Sequence, residues 1–167
     1  PGIIVQWYPG EQGGIALNEM LFGKINPSGK LNFSFPQSTG HVPCYYDYLP
    51  SDKGFYHQPG SKNKPGMDYV FATTKSLWAF GHGLSYTTFQ YSNLRVKKNG
   101  QTSYEVSFEV QNAGSMAGSE IVEVYVKNPN SDAFRAKREL RGFAKVRLEP
   151  GECKTVTIPL AERAFSV

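Results

Sequence analysis

The sequence predicts two architectures in series, an α/β layer followed by an antiparallel β-sandwich. In residues 3–36, short apolar runs alternate with a helical spacing of apolar residues, and Gly-rich turns separate them. From Phe89 onward, apolar residues recur at every second position in runs that are bounded by turn residues. We therefore predict an α/β region at residues 1–88 and a β-sandwich at residues 89–167.

The upstream region begins with a strand, a Gly-rich turn and a helix. Residues 3–7 form a short apolar run with β-branched side chains, which is typical of a buried strand. Turn residues follow at 9–14, and the apolar side chains of residues 15–22 then recur at helical spacing, with Gly23 suited to end the helix. Glu11 precedes the helix, and we interpret it as a carboxylate that interacts with the helix dipole and the exposed amides. The turn lacks the spacing of a nucleotide-binding loop, so phosphate binding is not predicted.

A second strand and a long irregular segment complete the α/β region. After turn residues at 26–29, residues 30–35 alternate between polar and apolar side chains until Pro36, which predicts a strand at a sheet edge. No period holds over residues 37–76, where Pro, Gly, Tyr, Lys and Asp are interspersed. Disorder is the alternative, but this segment has far more aromatic side chains than disordered linkers carry. We predict a surface segment with a function.

Five runs in residues 89–167 predict half-buried strands. Their apolar residues fall on one parity: Leu94 and Val96; Tyr104, Val106, Phe108 and Val110; Val122, Val124 and Val126; Leu140, Gly142, Ala144, Val146 and Leu148; Val156, Ile158 and Leu160. We interpret these strands as one side of an immunoglobulin-like or fibronectin-III-like sandwich. A complete sandwich of this kind has about seven strands. We therefore predict an incomplete sandwich that lacks its last strand or strands and has an unpaired edge after Val167.

Charge and cysteine content exclude few function classes. The net charge of +4 is scattered, and we interpret the densest basic patch, with Arg141, Lys145 and Arg147 on one face of a strand, as a solvated surface. No nucleic-acid partner is predicted. No apolar run approaches the roughly 20 residues that span a bilayer, so no membrane span is predicted. Cys44 and Cys153 lie in different predicted domains, and whether they form a disulfide is left open.

The titratable residues do not form a recognisable catalytic motif. Glycoside hydrolysis needs two carboxylates, and no motif pairs any of the candidates, which are Glu11, Glu19, Asp47, Asp52 and Asp68. The three histidines, His41, His57 and His82, have no metal-like spacing. We predict no metal site and no cofactor.

Four segments of the chain resemble the C-terminal part of glycoside hydrolase family 3, the family of β-glucosidases and β-xylosidases. They occur in the order expected of that family and together cover nearly the whole chain. The segments are WYPGEQGG at residues 7–14, LFGKINPSGKL at residues 21–31 with FP at 35–36, FGHGLSYTTF at residues 80–89, and LRGFAKVRLEPGE at residues 140–152.

The resemblance implies that the chain is a fragment of a larger enzyme. Family members of this layout have a TIM barrel with an Asp nucleophile, an α/β sandwich with a Glu acid/base, and a fibronectin-III-like domain. By that layout, this chain matches the end of the α/β sandwich domain and most of the third domain. The resemblance implies that both catalytic carboxylates lie elsewhere and that Glu11 is not the acid/base. It also implies a periplasmic or secreted protein.

The parent protein is then expected to be a retaining exo-acting β-glycosidase that releases terminal sugars from an oligosaccharide or glycoside substrate. The partners of this fragment would be the TIM-barrel and α/β portions of the parent. Within the fragment, residues 42–71 are expected to line the aglycone side of the site, with Tyr45, Tyr46 and Tyr69 as candidate substrate-binding residues. Two alternatives stay open: interface packing for each tyrosine, and a non-catalytic carbohydrate-binding or spacer module for the whole chain.

Overall fold

The computed structural model describes residues 2–47, 75–128, 136 and 138–165. Within these ranges, one helix precedes five strands and a short 3-10 helix at Glu162–Ala164. The elements are α1 (Gly13–Leu21), β1 (Phe89–Asn99), β2 (Ser103–Asn112), β3 (Gly118–Val126), β4 (Glu139–Leu148) and β5 (Cys153–Leu160). One helix upstream of a five-stranded β region agrees with the predicted fold class.

Helix α1 forms where the spacing of apolar residues predicts it. Gly23 lies just beyond its end with φ of +70°, a conformation that glycine adopts without steric cost, and its N–H donates to the Met20 carbonyl. The predicted interaction of Glu11 with the exposed amides at the start of the helix does not form. Glu11 is exposed and lies one residue before the N-cap residue, Gln12. The first turn of the helix contains no acidic residue, and no side-chain hydrogen bond caps the helix.

The two strands predicted upstream do not form as regular strands in the described region. The run at residues 3–7 is not a strand there, and Ile3 is 72% exposed. A buried strand needs ladder partners on both sides, and the described part of the chain supplies none for this run. Residues 30–35 form a single antiparallel bridge, Phe35 with Trp78. Leu31 extends this pairing, since its N–H donates to the His82 carbonyl.

The five predicted strands divide between two sheets, so their interpretation as one side of a sandwich is wrong. Strands β1, β2 and β5 form one antiparallel sheet with β2 in the middle, and β3 pairs with β4 in the second. The two sheets pack face to face, as in a sandwich. The inward-facing side chains form the core: Val106, Phe108, Val110, Val122, Leu148, Val156, Ile158 and Leu160. The alternation predicted for β2, β3 and β5 is therefore confirmed.

One side of the sandwich closes where β4 approaches β5. A Cβ on Gly142 would lie 2.5 Å from Ile158 Cγ2, so only glycine allows this approach. The opposite side, between β1 and β3, is open. It forms an apolar groove of about 670 Å³, which Leu94, Val96 and Phe108 help to line.

The prediction that β1 is half-buried is wrong, although its apolar side chains do lie on the predicted inner face. Val96 lies directly opposite the core residue Val106 and thus on the inner face, yet it is 62% exposed, and Leu94 is 70% exposed. The register of β1 shifts between Ser92 and Arg95, around Asn93, whose φ is +54°. Within the described residues, no layer covers this part of the inner face.

Other features of the described region concern the cysteines and the basic patch. Cys44 and Cys153 do not form a disulfide with each other. Lys145 and Arg147 are exposed, as predicted. Arg141 differs, because it is the additional residue of a bulge in β4 and forms an ion pair with Glu139 at 2.9 Å. No helix in the described ranges is long and apolar enough to span a membrane.

Candidate functional site

Of the three tyrosines predicted to bind substrate, the two that the structure describes differ in their exposure. Tyr45 is 62% exposed, whereas Tyr46 is half-buried against the sandwich. Tyr69 lies outside the described residues. Tyr45 is therefore the described member of the set whose ring is available to a ligand.

Tyr46 makes contacts with three different parts of the chain. Its ring stacks on Phe80 with a centroid distance of 4.4 Å and meets Tyr125 edge-on at 6.0 Å. Its hydroxyl oxygen accepts a hydrogen bond from the Leu140 N–H at 3.2 Å. The guanidinium of Arg138 lies 5.2 Å from the Tyr125 ring centroid, within cation–π range. These contacts attach the residues around Tyr46 to the β3–β4 sheet.

A second set of contacts holds the chain just before this segment. His41 is fully buried, and its Nδ1 accepts a hydrogen bond from the Gln37 N–H at 3.0 Å. The Gln37 side chain in turn donates from Nε2 to the Lys75 carbonyl at 2.7 Å. Residues 37 and 75 lie at the two ends of the irregular segment, so this bond ties those ends together.

A buried carboxylate joins the upstream region to the sandwich. Glu120, on β3, is only 9% exposed, and its Oε1 lies 3.2 Å from Lys30 Nζ. The same oxygen accepts a hydrogen bond from the Tyr91 hydroxyl at 2.8 Å. Burial raises the pKa of Tyr91, and the hydrogen bond and negative charge of Glu120 raise it further. Tyr91 therefore remains a protonated donor to Glu120 beyond the pH at which a free tyrosine ionises.

Asn26 reinforces the same joint. Its Oδ1 accepts hydrogen bonds from the Ser85 hydroxyl at 2.9 Å and the Tyr86 N–H at 2.8 Å. Its Nδ2 donates to the Ala117 carbonyl at 3.2 Å, and a Cβ on Gly118 would lie 2.6 Å from that nitrogen. Residues 26–29, which we predicted to be a turn, thus also connect the upstream region to the sandwich.

One feature of the sequence could have revealed this joint in advance. Glu120 occupies the inward parity of β3, two positions before Val122, where an acidic residue is costly unless it is paired.

Among the candidate carboxylates, Glu11 and Asp47 are exposed, Glu19 lies in α1, and Asp52 and Asp68 are outside the described residues. The residues that the structure describes contain no group of three or more His, Cys, Asp or Glu that could hold a metal ion.

Fold and contacts define a two-part scaffold, in which an upstream region with one described helix is joined to a β-sandwich by the Lys30–Glu120 ion pair and by Asn26. The glycosyl hydrolase family 3 C-terminal domain matches residues 1–86, and a fibronectin type III-like domain matches residues 120–167. The chain belongs to glycosyl hydrolase family 3.

Proteins similar to this chain include several named glycosidases. The chain is 43% identical to thermostable beta-glucosidase B of Acetivibrio thermocellus, over 98% of this chain and 22% of that protein. It is 37% identical to the periplasmic beta-glucosidase of Salmonella typhimurium, over 95% of this chain and 21% of that protein. A beta-xylosidase of Formosa agariphila is 38% identical over 96% of this chain and 21% of its own length. The chain thus spans about a fifth of the length of these relatives.

Solved structures give the same result. A β-glucosidase from Erythrobacter marinus has a TM-score of 0.80 at 38% identity, over 95% of this chain and 20% of that one. The D270A mutant β-glucosidase of Listeria innocua, solved in complex with laminaribiose, has a TM-score of 0.79 at 34% identity, over 95% of this chain and 22% of that one. These solved structures, like the named relatives, are thus matched over about a fifth of their own length.

Proposed function

We propose that the intact protein is a retaining, exo-acting β-glycosidase of β-glucosidase type that hydrolyses terminal non-reducing β-linked sugars. The observation that carries this proposal is family membership together with similarity, over almost the whole chain, to proteins named as β-glucosidases. The 167 residues act as a scaffold and contribute contacts on the aglycone side. Their functional units are residues 1–88, as the end of an α/β domain, and residues 89–167, as the sandwich.

An exposed apolar surface on the upstream region supports the scaffold role. It includes a large share of the apolar side chains around α1 and the run at residues 3–7: Ile3, Ile4, Val5, Trp7, Ile15, Leu21 and Phe22. Apolar patches of this kind mark interaction sites. The partner that fits an unpaired β-branched run next to a helix is another part of an α/β sheet, which we assign to the remaining α/β portion and the barrel of the same protein.

The central test compares the intact protein with the 167-residue chain on aryl β-glycosides. We expect turnover by the intact protein, with NMR showing that the first sugar released keeps its β configuration. The short chain should be inert, because rate enhancements of at least about 10⁶-fold require both catalytic carboxylates in one cleft. Turnover by the short chain that survives both Glu11→Gln and Asp68→Asn would overturn the assignment of this chain as scaffold. An inert intact protein that still binds sugars would indicate the non-catalytic module.

The aglycone contacts are tested by Tyr45→Ala and Tyr69→Ala in the intact protein. Loss of an aromatic contact worth about 1 kcal/mol should lower kcat/KM for aryl glycosides roughly fivefold, with smaller effects on methyl glycosides. Phe143→Ala is the control, because Phe143 is an exposed aromatic side chain of β4 outside this segment. Unchanged kcat/KM for several aglycones in both tyrosine variants would show that residues 42–71 serve only in packing.

A further inference from the structure

The contacts of Tyr46 depend on an irregularity in the second sheet. Between β3 and β4, Val124 pairs with Gly142 and Tyr125 pairs with Leu140, so Arg141 is an additional residue in β4. Such bulges interrupt the ladder of backbone hydrogen bonds and occur preferentially next to functional sites. At this bulge, the Leu140 N–H donates to the Tyr46 hydroxyl. The sandwich therefore presents a backbone donor to a side chain of the α/β region.

The ring of Tyr46 is held as firmly as its hydroxyl. Phe80 covers one face at 4.4 Å, and Tyr125 meets it edge-on at 6.0 Å. Tyr125 is itself fixed, since its hydroxyl donates to Glu123 Oε2 at 2.7 Å and Arg138 lies over its ring. A ring with these contacts cannot turn toward a ligand without losing them. Within the described residues, no ring packs on its neighbour Tyr45, which is 62% exposed.

The two adjacent tyrosines therefore have different roles. We propose that Tyr46 is a positioning residue: the bulge of β4 and the Phe80–Tyr46–Tyr125 stack fix the course of the chain at residues 45–47, so that the sandwich determines how Tyr45 meets the aglycone of a β-glycoside. This inference rests on the proposed glycosidase function for its substrate. The anchor itself, the bond from Leu140 to Tyr46, is independent of that function.

The decisive variant is Tyr46→Phe in the intact protein, because it keeps the ring stack and removes only the hydroxyl. Hydrogen–deuterium exchange of the peptide that contains Leu140 reports the anchor. Loss of one hydrogen bond should accelerate exchange at Leu140 about fivefold. In parallel, the ratio of kcat/KM for aryl over methyl β-glucosides should fall about threefold, with kcat for the methyl glycoside unchanged. Tyr45→Phe is the matched control and should leave exchange at Leu140 unaltered.

Each outcome decides the proposal. Faster exchange together with altered aglycone preference supports it. Altered preference with unchanged exchange would make Tyr46 a direct substrate contact, and faster exchange with unchanged preference would make the anchor purely structural; either result overturns the positioning role. A protein without glycosidase activity refutes the proposed function, while exchange at Leu140 still reports whether the anchor exists. Tyr125→Phe, which keeps its ring and loses the bond to Glu123, should shift the same ratio in the same direction and fails to do so if Tyr125 does not hold Tyr46.

Discussion

Replacement of Lys30 by Met should destabilise the sandwich by about 3 kcal/mol, because it leaves the Glu120 carboxylate buried without its cation. The two side chains are only 19% and 11% exposed, and their charged atoms are 3.2 Å apart. Solvent therefore cannot replace the lost partner, and the Tyr91 hydroxyl supplies one hydrogen bond but no charge. Native-state hydrogen exchange of β3 in the intact protein measures the effect, which corresponds to roughly 150-fold faster exchange.

A surface pair provides the control for this prediction. Arg147 and Glu149 are 3.4 Å apart, but their side chains are 70% and 61% exposed. Arg147→Met should cost less than about 1 kcal/mol, because water solvates the remaining charge. The double variant Lys30→Met with Glu120→Leu should recover part of the loss, since it removes the unpaired charge. Equal costs for Lys30→Met and Arg147→Met would refute the importance of the buried pair.

The strands of the sandwich were predictable because their pattern is local. In β2 and β5, apolar residues alternate with polar ones, and one face of each strand is buried. Parity assigns a residue to a face but does not assign a strand to a sheet. The pairing of β2 with β5 joins residues about 50 positions apart, and the close approach at Gly142 depends on Ile158. The division into two sheets therefore required the structure.

The predictions of strands at residues 3–7 and 30–35 failed for a different reason. The composition of residues 3–7 and 30–35 suits strands, but a strand exists only where a neighbour pairs with it. Helix α1 needs no such neighbour for its hydrogen bonds, and its prediction is confirmed. In the upstream region, the local pattern thus correctly predicted α1, the element whose backbone hydrogen bonds form within itself.

The contacts of the candidate site were only partly predictable from the sequence. Aromatic content indicated that residues 37–76 make contacts, but composition does not distinguish an inward ring such as Tyr46 from an outward one such as Tyr45. The acidic residue on the inward parity of β3 signalled a buried pair, but its partner Lys30 lies far away in the chain, in the α/β region. The role of Tyr69 remains a prediction.

The open groove between β1 and β3 should make the isolated 167-residue chain bind hydrophobic dyes and dissolve poorly. The incomplete sandwich predicted from the sequence would leave Val106, Phe108, Val122, Val124 and Ile158 facing an unfinished layer. All of them except Val124 are instead buried in the core, although Val106, Phe108, Val122 and Val124 also line the groove. The surface left open is that of Leu94 and Val96, beside a groove of about 670 Å³. Within the described residues, β1 and β3 each also have one edge without a neighbouring strand. An apolar groove next to two unpaired edges is an aggregation liability.

The experiment compares dye fluorescence and thermal unfolding of the isolated chain with those of the intact gene product. We expect strong dye binding and a broad transition in the former, and weak binding and a cooperative transition in the latter. Leu94→Ser with Val96→Ser should roughly halve the dye signal of the isolated chain, because these residues line the groove. Phe143→Ser should leave the signal largely unchanged, because Phe143 is exposed but does not line the groove. A sharp, reversible transition of the monomeric chain without dye binding would contradict the prediction, since five strands would then close a stable core by themselves.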